Sequence, residues 1–309
     1  MISPVDTRVT AVVGPLIAES FPDLTTPRPR LLLAGEEFDT WQAGAVVVKF
    51  PRSAEDGTKL LAEIAAHELI AERLGELVPP IMAVADPSER FPFPSVAFTR
   101  ARGRQGQTSE GAIIQPKAWA RATLARDVAA ALTTLHTTPI AAAKAAGVQR
   151  RPLDLDPQVD VGEEAIAWAR RVAGDAVDAF LSEPLPMAAR AAAPGVLCHT
   201  DLKGEHLFVS EDGTRLTAIV DWADAAIADP AADLAGLAIW LGPAFVREVL
   251  ETYGGKADEG TYDRAVFLAK AGLLGYLEQQ LGGAVEPAPV PLLDAQLRAV
   301  FIERPTGRR

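Results

Sequence analysis

The chain has 309 residues, 49% hydrophobic and 23% charged, with a net charge of -11 at pH 7. That length suits two domains, or one with a substantial insertion, and the composition is that of an ordinary globular protein. The acidity excludes a non-specific nucleic-acid binder, which needs basic surface against phosphates, and the single cysteine, Cys198, excludes an internal disulfide framework or a cysteine-based zinc site.

Residues 4–20 carry a loose amphipathic helical pattern, ended by Phe21-Pro22-Asp23 and the Thr-Pro-Arg-Pro run at 26–29. The pattern then changes to strands: 31–33, 38–43 after a turn near Gly35, and the β-branched run 45–50, which carries Lys49 near its end. Pro51 stops that strand. A helix is expected over 56–78, with Leu60, Ile64, His67, Ala71, Leu74 and Val78 on one stripe. Glu63 lies at the side of that stripe, half-buried and in need of a partner, while Glu68 and Glu72 point to solvent. Residues 81–85 and 95–99 complete about five strands. A polar connector over 100–111 sets a domain boundary, giving units 1–103 and 104–309.

The remainder reads as mainly helical: 117–137, a helix containing Trp168 behind the acidic segment 153–164, 175–192, and then 231–241, 244–253, 261–281 and 291–302. Between them lies Val196-Leu197-Cys198-His199-Thr200-Asp201-Leu202-Lys203-Gly204-Glu205-His206-Leu207-Phe208. Cys198, in the apolar lead-in, reads as a small core residue. The Glu211-Asp212-Gly213 turn makes 207–209 and 216–220 a hairpin that delivers Asp221 beside the loop. Two carboxylates, Asp201 and Asp221, together with His206, suit a site that binds a divalent metal and activates a hydroxyl.

Here a resemblance becomes specific. His199-Thr200-Asp201-Leu202-Lys203-Gly204-Glu205-His206 resembles the catalytic loop of protein kinases and, more closely, that of the aminoglycoside phosphotransferase family of small-molecule kinases. Asp221-Trp222-Ala223-Asp224-Ala225, with Asp229-Pro230 and Asp233-Leu234-Ala235, resembles that family's metal-binding segment, and 132–139 resembles the Leu-His-x-x-Pro end of its central helix. The resemblance covers residues 31 to about 241 and implies an α+β, bilobal, protein-kinase-like fold: a small β-rich N-lobe and a larger, mainly helical C-lobe.

It also implies roles. Asp201 is the base and Lys203 reaches the transferred phosphoryl group. Asp221 binds Mg2+, and Lys49 contacts the nucleotide phosphates with Glu63 as its anionic partner (Glu68 the fallback). Val96, Ala97, Phe98 and Thr99 form the hinge whose backbone meets the purine. His206 stands where an Asn is commoner; it is either a metal ligand, as in the macrolide kinases, or a neutral histidine bonded to the loop. His199 is scaffold, and Asp229 and Asp233 are structural. Lys49 alone could equally be a side chain snorkelling off a strand edge. No Gly-rich loop stands at 35–38, which weighs against a protein kinase more than against nucleotide binding.

The implied reaction is phosphoryl transfer from ATP or GTP, with Mg2+, to a hydroxyl of a small molecule, most readily an antibiotic; a metabolic kinase of an amino alcohol or sugar and a nucleotide-binding pseudokinase are the alternatives. The acidic residues Asp154, Asp156, Asp160, Glu163 and Glu164 either attract a cationic acceptor or serve helix N-terminal chemistry and solvation. Neither a run of ~20 apolar residues nor a basic-then-apolar N-terminus is present, so the expectation is a cytoplasmic monomer or weak dimer without membrane or nucleic-acid partners.

Overall fold

The computed structural model describes residues 14–22, 29–34, 37–108, 113–114, 116–153, 155, 161–182, 189, 192–285 and 288–302. Helix α1 covers residues 14–20; the first part of the helix expected at 4–20, the turn at Gly35, Asp154, Asp156, Asp160 and most of 183–191 lie outside the described residues.

The period-2 patterns of the first hundred residues form β1 (Arg30–Ala34), β2 (Phe38–Ala43), β3 (Val46–Pro51), β4 (Ile81–Ala85) and β5 (Ser95–Thr99). They make one antiparallel sheet in the order β1-β2-β3-β5-β4. Ile17 and Phe21 close one face of it, packed with Trp41, Val48 and Phe50. Helix α2 (Ala54–Leu74) crosses the other face; its N-cap Ser53 accepts a hydrogen bond from the Asp56 amide, and Glu55 and Asp56 supply negative charge to its first turn. The buried face of α2 is Leu60, Glu63, Ala66, His67, Ile70 and Leu74. It is rotated from the predicted stripe toward Glu63, which is 2% exposed rather than half-buried, because Ile64 and Ala71 lie at the stripe's margin. A 3-10 turn, Gly75–Leu77, replaces the predicted last turn.

The C-terminal half of α2 joins a different core. Ala66, Ile70 and Leu74 pack in one apolar cluster with Leu124, Val128, Leu132 and Leu135 of α3 (Ala118–His136). That cluster extends through α5 (Glu163–Ala173), α7 (Ala231–Leu241), α8 (Pro243–Leu250), α9 (Thr261–Leu281) and α10 (Val290–Phe301). Short helices α4 (Ile140–Ala145) and α6 (Asp175–Ser182) complete the helical part. One helix is therefore shared between the sheet's core and the helical core, which couples the two lobes by packing rather than by linker alone.

Two small sheets carry the loops between them. β8 (Leu207–Val209) and β9 (Leu216–Ile219) are the expected hairpin, and β6 (Arg104–Gln105) adds to the β8 edge. β7 (Val196–Cys198) pairs with β10 (Ala226–Ala228), a two-stranded ribbon whose second strand was not anticipated from its three-residue length. No helix among the described residues is long and apolar enough to cross a membrane.

Candidate active site

Two strained backbone positions flank the candidate site. Among the described residues, Thr200 and Asp221 are the non-glycine residues held at positive φ, +65° and +67°, a conformation that costs free energy and persists only where the surroundings impose it. For Thr200 the cause is Asp233, in the first turn of α7 and wholly buried. Its carboxylate accepts from the amides of His199 (3.1 Å) and Thr200 (2.7 Å), and from His136 Nε2 (2.9 Å). His136 is in turn bonded through Nδ1 to the Tyr253 hydroxyl (2.6 Å). His136 ends α3, so the Leu-His-x-x-Pro motif acquires a physical reason, since it brings a donor to the carboxylate that folds the loop.

The loop also needs small residues. A Cβ on Gly236 of α7 would collide with the Leu202 carbonyl, and one on Gly204 with the Trp240 indole. Trp240, fully buried, donates from Nε1 to the Gly106 carbonyl (3.0 Å), so the loop, α7 and the 104–107 segment close around one ring. His199 acts within this scaffold: Nδ1 accepts from the Asp201 amide (3.3 Å) and Nε2 donates to the Val220 carbonyl (2.9 Å). Burial, and then the neighbouring His206, push its pKa below the usual histidine value, consistent with a neutral ring.

The site residues expected from sequence converge on one cleft. Lys49 Nζ is 2.7 Å from Glu63 Oε2 and 2.8 Å from Asp221 Oδ1, and it lies 4.5 Å from the Phe38 ring centroid. Glu63 Oε1 accepts from the Trp222 amide (3.2 Å), so sheet, helix α2 and the segment after β9 meet at one buried carboxylate. Burial opposes the ammonium charge of Lys49, yet Asp221 and Glu63 outweigh it and raise its pKa. Burial likewise opposes the charge of Asp221, and Lys49, then His206, hold its carboxyl well below the usual range. Lys49 is thus no edge residue, and Glu68 is exposed on α2, away from the pair.

On the loop, Lys203 Nζ lies 3.2 Å from Asp201 Oδ1 and 2.9 Å from Glu205 Oε1. Burial works against its charge, but Glu205 and Asp201 raise its pKa. His206 donates from Nδ1 to the Asp201 carbonyl (2.7 Å), which leaves the Nε2 lone pair facing Asp221 Oδ2 at 3.4 Å. That spacing fits adjacent ligands of one ion with bonds of ~2.1 Å. The carboxylate suits a hard ion such as Mg2+ and the imidazole is a tolerated partner. Cys198 is buried with its thiol pKa pushed well up by that burial, so it is core rather than nucleophile.

Val96, Ala97, Phe98 and Thr99, expected as the hinge, form strand β5, laddered to β3 on one side and β4 on the other. The Thr99 amide donates to the Pro80 carbonyl (2.9 Å) and that of Arg100 to the Ala45 carbonyl (2.8 Å). Sequence reading passed over three contributors: Glu205, Arg151 and Gln107. Arg151 bridges Thr200 Oγ1 (3.0 Å) and Asp224 Oδ1 (2.9 Å). Glu163 and Glu164 stand in the first turn of α5, with Glu163 3.8 Å from Arg170.

Comparison with known proteins agrees with this geometry. The sequence profile described as the phosphotransferase enzyme family matches residues 30–268. Viomycin phosphotransferase of Streptomyces vinaceus is 43% identical over 68 residues, 21% of this chain and only 23% of that protein's length. The GDP complex of wild-type aminoglycoside 2'-phosphotransferase-IIIa superposes with a TM-score of 0.69 at 21% identity, covering 94% of this chain and 97% of the other. Macrolide 2'-phosphotransferase MphH from Brachybacterium faecium does so at 0.61 and 22% identity, over 94% and 98%. At such identity the superpositions establish the fold, a bilobal kinase-like one. With a profile match over most of its length, the chain belongs to the phosphotransferase enzyme family.

Proposed function

We propose that this protein is a Mg2+-dependent small-molecule kinase that transfers the γ-phosphoryl group of ATP or GTP to a hydroxyl of an antibiotic, working as a monomer or weak dimer in the cytoplasm, where those nucleotides are abundant. One observation carries the reading: Lys49, Glu63 and Asp221, drawn from three separate parts of the chain, meet in one charged contact beside the Asp201-Lys203-His206 loop. A structural ion pair would need no base beside it.

In this reading Asp201 accepts a hydrogen bond from the acceptor hydroxyl. As the hydroxyl oxygen bonds to the γ-phosphorus, the bond from that phosphorus to the bridging oxygen breaks, the proton passes to the Asp201 carboxylate, and the nucleoside diphosphate leaves. Lys49 orients the phosphates, and Lys203 faces the transferred group as charge spreads over its oxygens. Asp221 and His206 would hold Mg2+, whose charge offsets that of the phosphates. The purine is read downstream of β5, by the backbone around Ala101 and Arg102 before Gly103 turns the chain with φ +83°. That turn also marks the lobe boundary, since β6 at Arg104 already belongs to the β8 sheet.

The acceptor is proposed to be cationic. Asp201, Glu205, Asp221 and Asp224 are each about a third to nearly half exposed in the cleft, so its wall carries more acidic groups than the two cations beside them, Lys203 and the Arg151 that pairs with Asp224. Such a wall favours amine-bearing antibiotics, and the segment similar to viomycin phosphotransferase puts basic peptide antibiotics first in a screen. Asp201→Ala should lower transfer by about 10²–10⁴-fold, the usual worth of a positioned base, while nucleotide binding by calorimetry stays near wild type. Transfer at an undiminished rate would remove Asp201 from its role.

A further inference from the structure

Glu205 has no place in the mechanism just described, yet both of its carboxylate oxygens and its backbone carbonyl are engaged. Its Oε1 holds the Lys203 ammonium at 2.9 Å, closer than Asp201 does at 3.2 Å. Its Oε2 accepts from Gln107 Nε2 (3.3 Å), and its backbone carbonyl accepts from Gln105 Nε2 (3.0 Å). Gln107 is 1% exposed and its Oε1 accepts from Gln296 Nε2 (3.2 Å), on α10. The Gln107 amide donates to the Gly204 carbonyl (2.9 Å), which fixes its backbone against the loop.

We propose that Glu205 is a positioning residue for Lys203, fixed from behind by a buried amide relay, Gln296–Gln107–Glu205, that ties the last described helix to the catalytic loop. The inference rests on the phosphotransferase reading of the site. The sense of the relay follows from chemistry. An ionised carboxylate only accepts, so Gln107 must turn its NH2 toward Glu205; its carbonyl then faces Gln296, whose NH2 must answer it. The Lys203 ammonium at 2.9 Å on Oε1 is the partner an ionised carboxylate takes.

The relay answers a problem created by Lys203. A lysine ammonium on a flexible stem, two residues from the base, would collapse onto Asp201 and occupy the oxygens meant for the acceptor hydroxyl. A second carboxylate, rigidly held, draws the ammonium to a fixed point between the two and leaves one of its three N–H donors for a phosphoryl oxygen. Glu205 can do this only if it cannot swing, and it is the two buried amides that deny it other rotamers. Gln107 and Gln296 touch no reacting atom, so any effect on the chemistry must travel through Glu205 and Lys203.

A double-mutant cycle in kcat tests this, with Gln107→Leu as one arm and Lys203→Met as the other. Acting through Lys203, Gln107→Leu lowers kcat by about tenfold in the wild-type background with nucleotide KM nearly unchanged, and adds no loss once Lys203 is Met. Equal losses in both backgrounds, or a lowered melting temperature with kcat intact, would mean a packing role and overturn the proposal. Gln296→Leu enters the same relay one step further out and should act in the same direction, so the test survives a poorly folding Gln107 variant. A second readout needs no acceptor: the ¹⁵N–¹H signal of the Lys203 ammonium, assigned by its loss in Lys203→Met, should be slow to exchange in the wild type and broadened in Gln107→Leu. A signal unchanged by Gln107→Leu defeats the relay even if no acceptor is ever turned over; a lost signal in a protein that phosphorylates nothing defeats the functional reading instead.

Discussion

The two halves of the active site are held by different physics. Lys49, Glu63 and Asp221 are gathered by charge: an ammonium from β3 with carboxylates from α2 and the segment after β9, each within 2.8 Å of it. The loop is gathered mainly through its backbone: two of its amides on the Asp233 carboxylate, which His136 also holds, His199 between the Asp201 amide and the Val220 carbonyl, and His206 on the Asp201 carbonyl. A charge-gathered assembly depends on every member, because removing one leaves an uncompensated charge in a poor solvent for it. A loop held at many backbone points is over-determined, and it tolerates the strained Thr200 for that reason.

The contrast is tested most severely at Lys49. Lys49→Met leaves the buried Glu63 without its cation, and breaking such a buried pair costs on the order of 3–5 kcal/mol, while Asp221, 36% exposed, keeps contact with water. We expect a clear fall in unfolding free energy by denaturant titration and a loss of nucleotide affinity in the same variant. Glu63→Gln should be milder, since Lys49 keeps Asp221 as its partner and the single amide oxygen still accepts at one of the two places, from Lys49 or from the Trp222 amide. Equal stability of wild type and Lys49→Met would show that charge does not hold this half together.

His206 belongs to both halves, bonded to the loop through Nδ1 and facing Asp221 through Nε2. His206→Ala should raise the Mg2+ concentration needed for nucleotide binding by about tenfold or more, in the range that shifts in metal-site contacts produce. An unchanged Mg2+ titration would assign the imidazole to the loop alone. The comparison would then be sharper, with Asp221 the one metal ligand and no histidine shared between the halves.

How much of this was legible follows the same division. Lys49, Asp201, Lys203, His206 and Asp221 are one-letter signals at fixed spacing, and the helix that carries Glu63 has a strong enough period to place that carboxylate inward. The pairing of β5 with both β3 and β4 depends on strands distant in sequence, which 95–99 cannot reveal by itself. Ribbon strand β10 is three residues long, below the length at which alternation is readable. The relay through Gln107 and Gln296 was invisible for another reason: glutamine is ordinarily a surface residue, and only the fold brings residues 107, 205 and 296 together.

The smallest expected effect concerns pH and the loop's own scaffold. His199 accepts at Nδ1 and donates at Nε2, an arrangement open only to the neutral ring, and its folded pKa is depressed by burial first and by His206 second. The unfolded chain, with an ordinary histidine near ~6.5, therefore takes up a proton before the folded one does. The neutral ring's contribution is complete above that value and is lost as pH falls through the folded pKa, with a slope no steeper than about 1.4 kcal/mol per pH unit. Asp221 does not obscure this window, because its depressed carboxyl titrates well below it. Denaturant titrations between pH 7.5 and 5.5 should show wild type losing stability faster than His199→Gln, which has no such group to protonate. Parallel pH curves would mean that the loop accommodates a charged His199, and that its backbone anchors on Asp233 suffice to hold it.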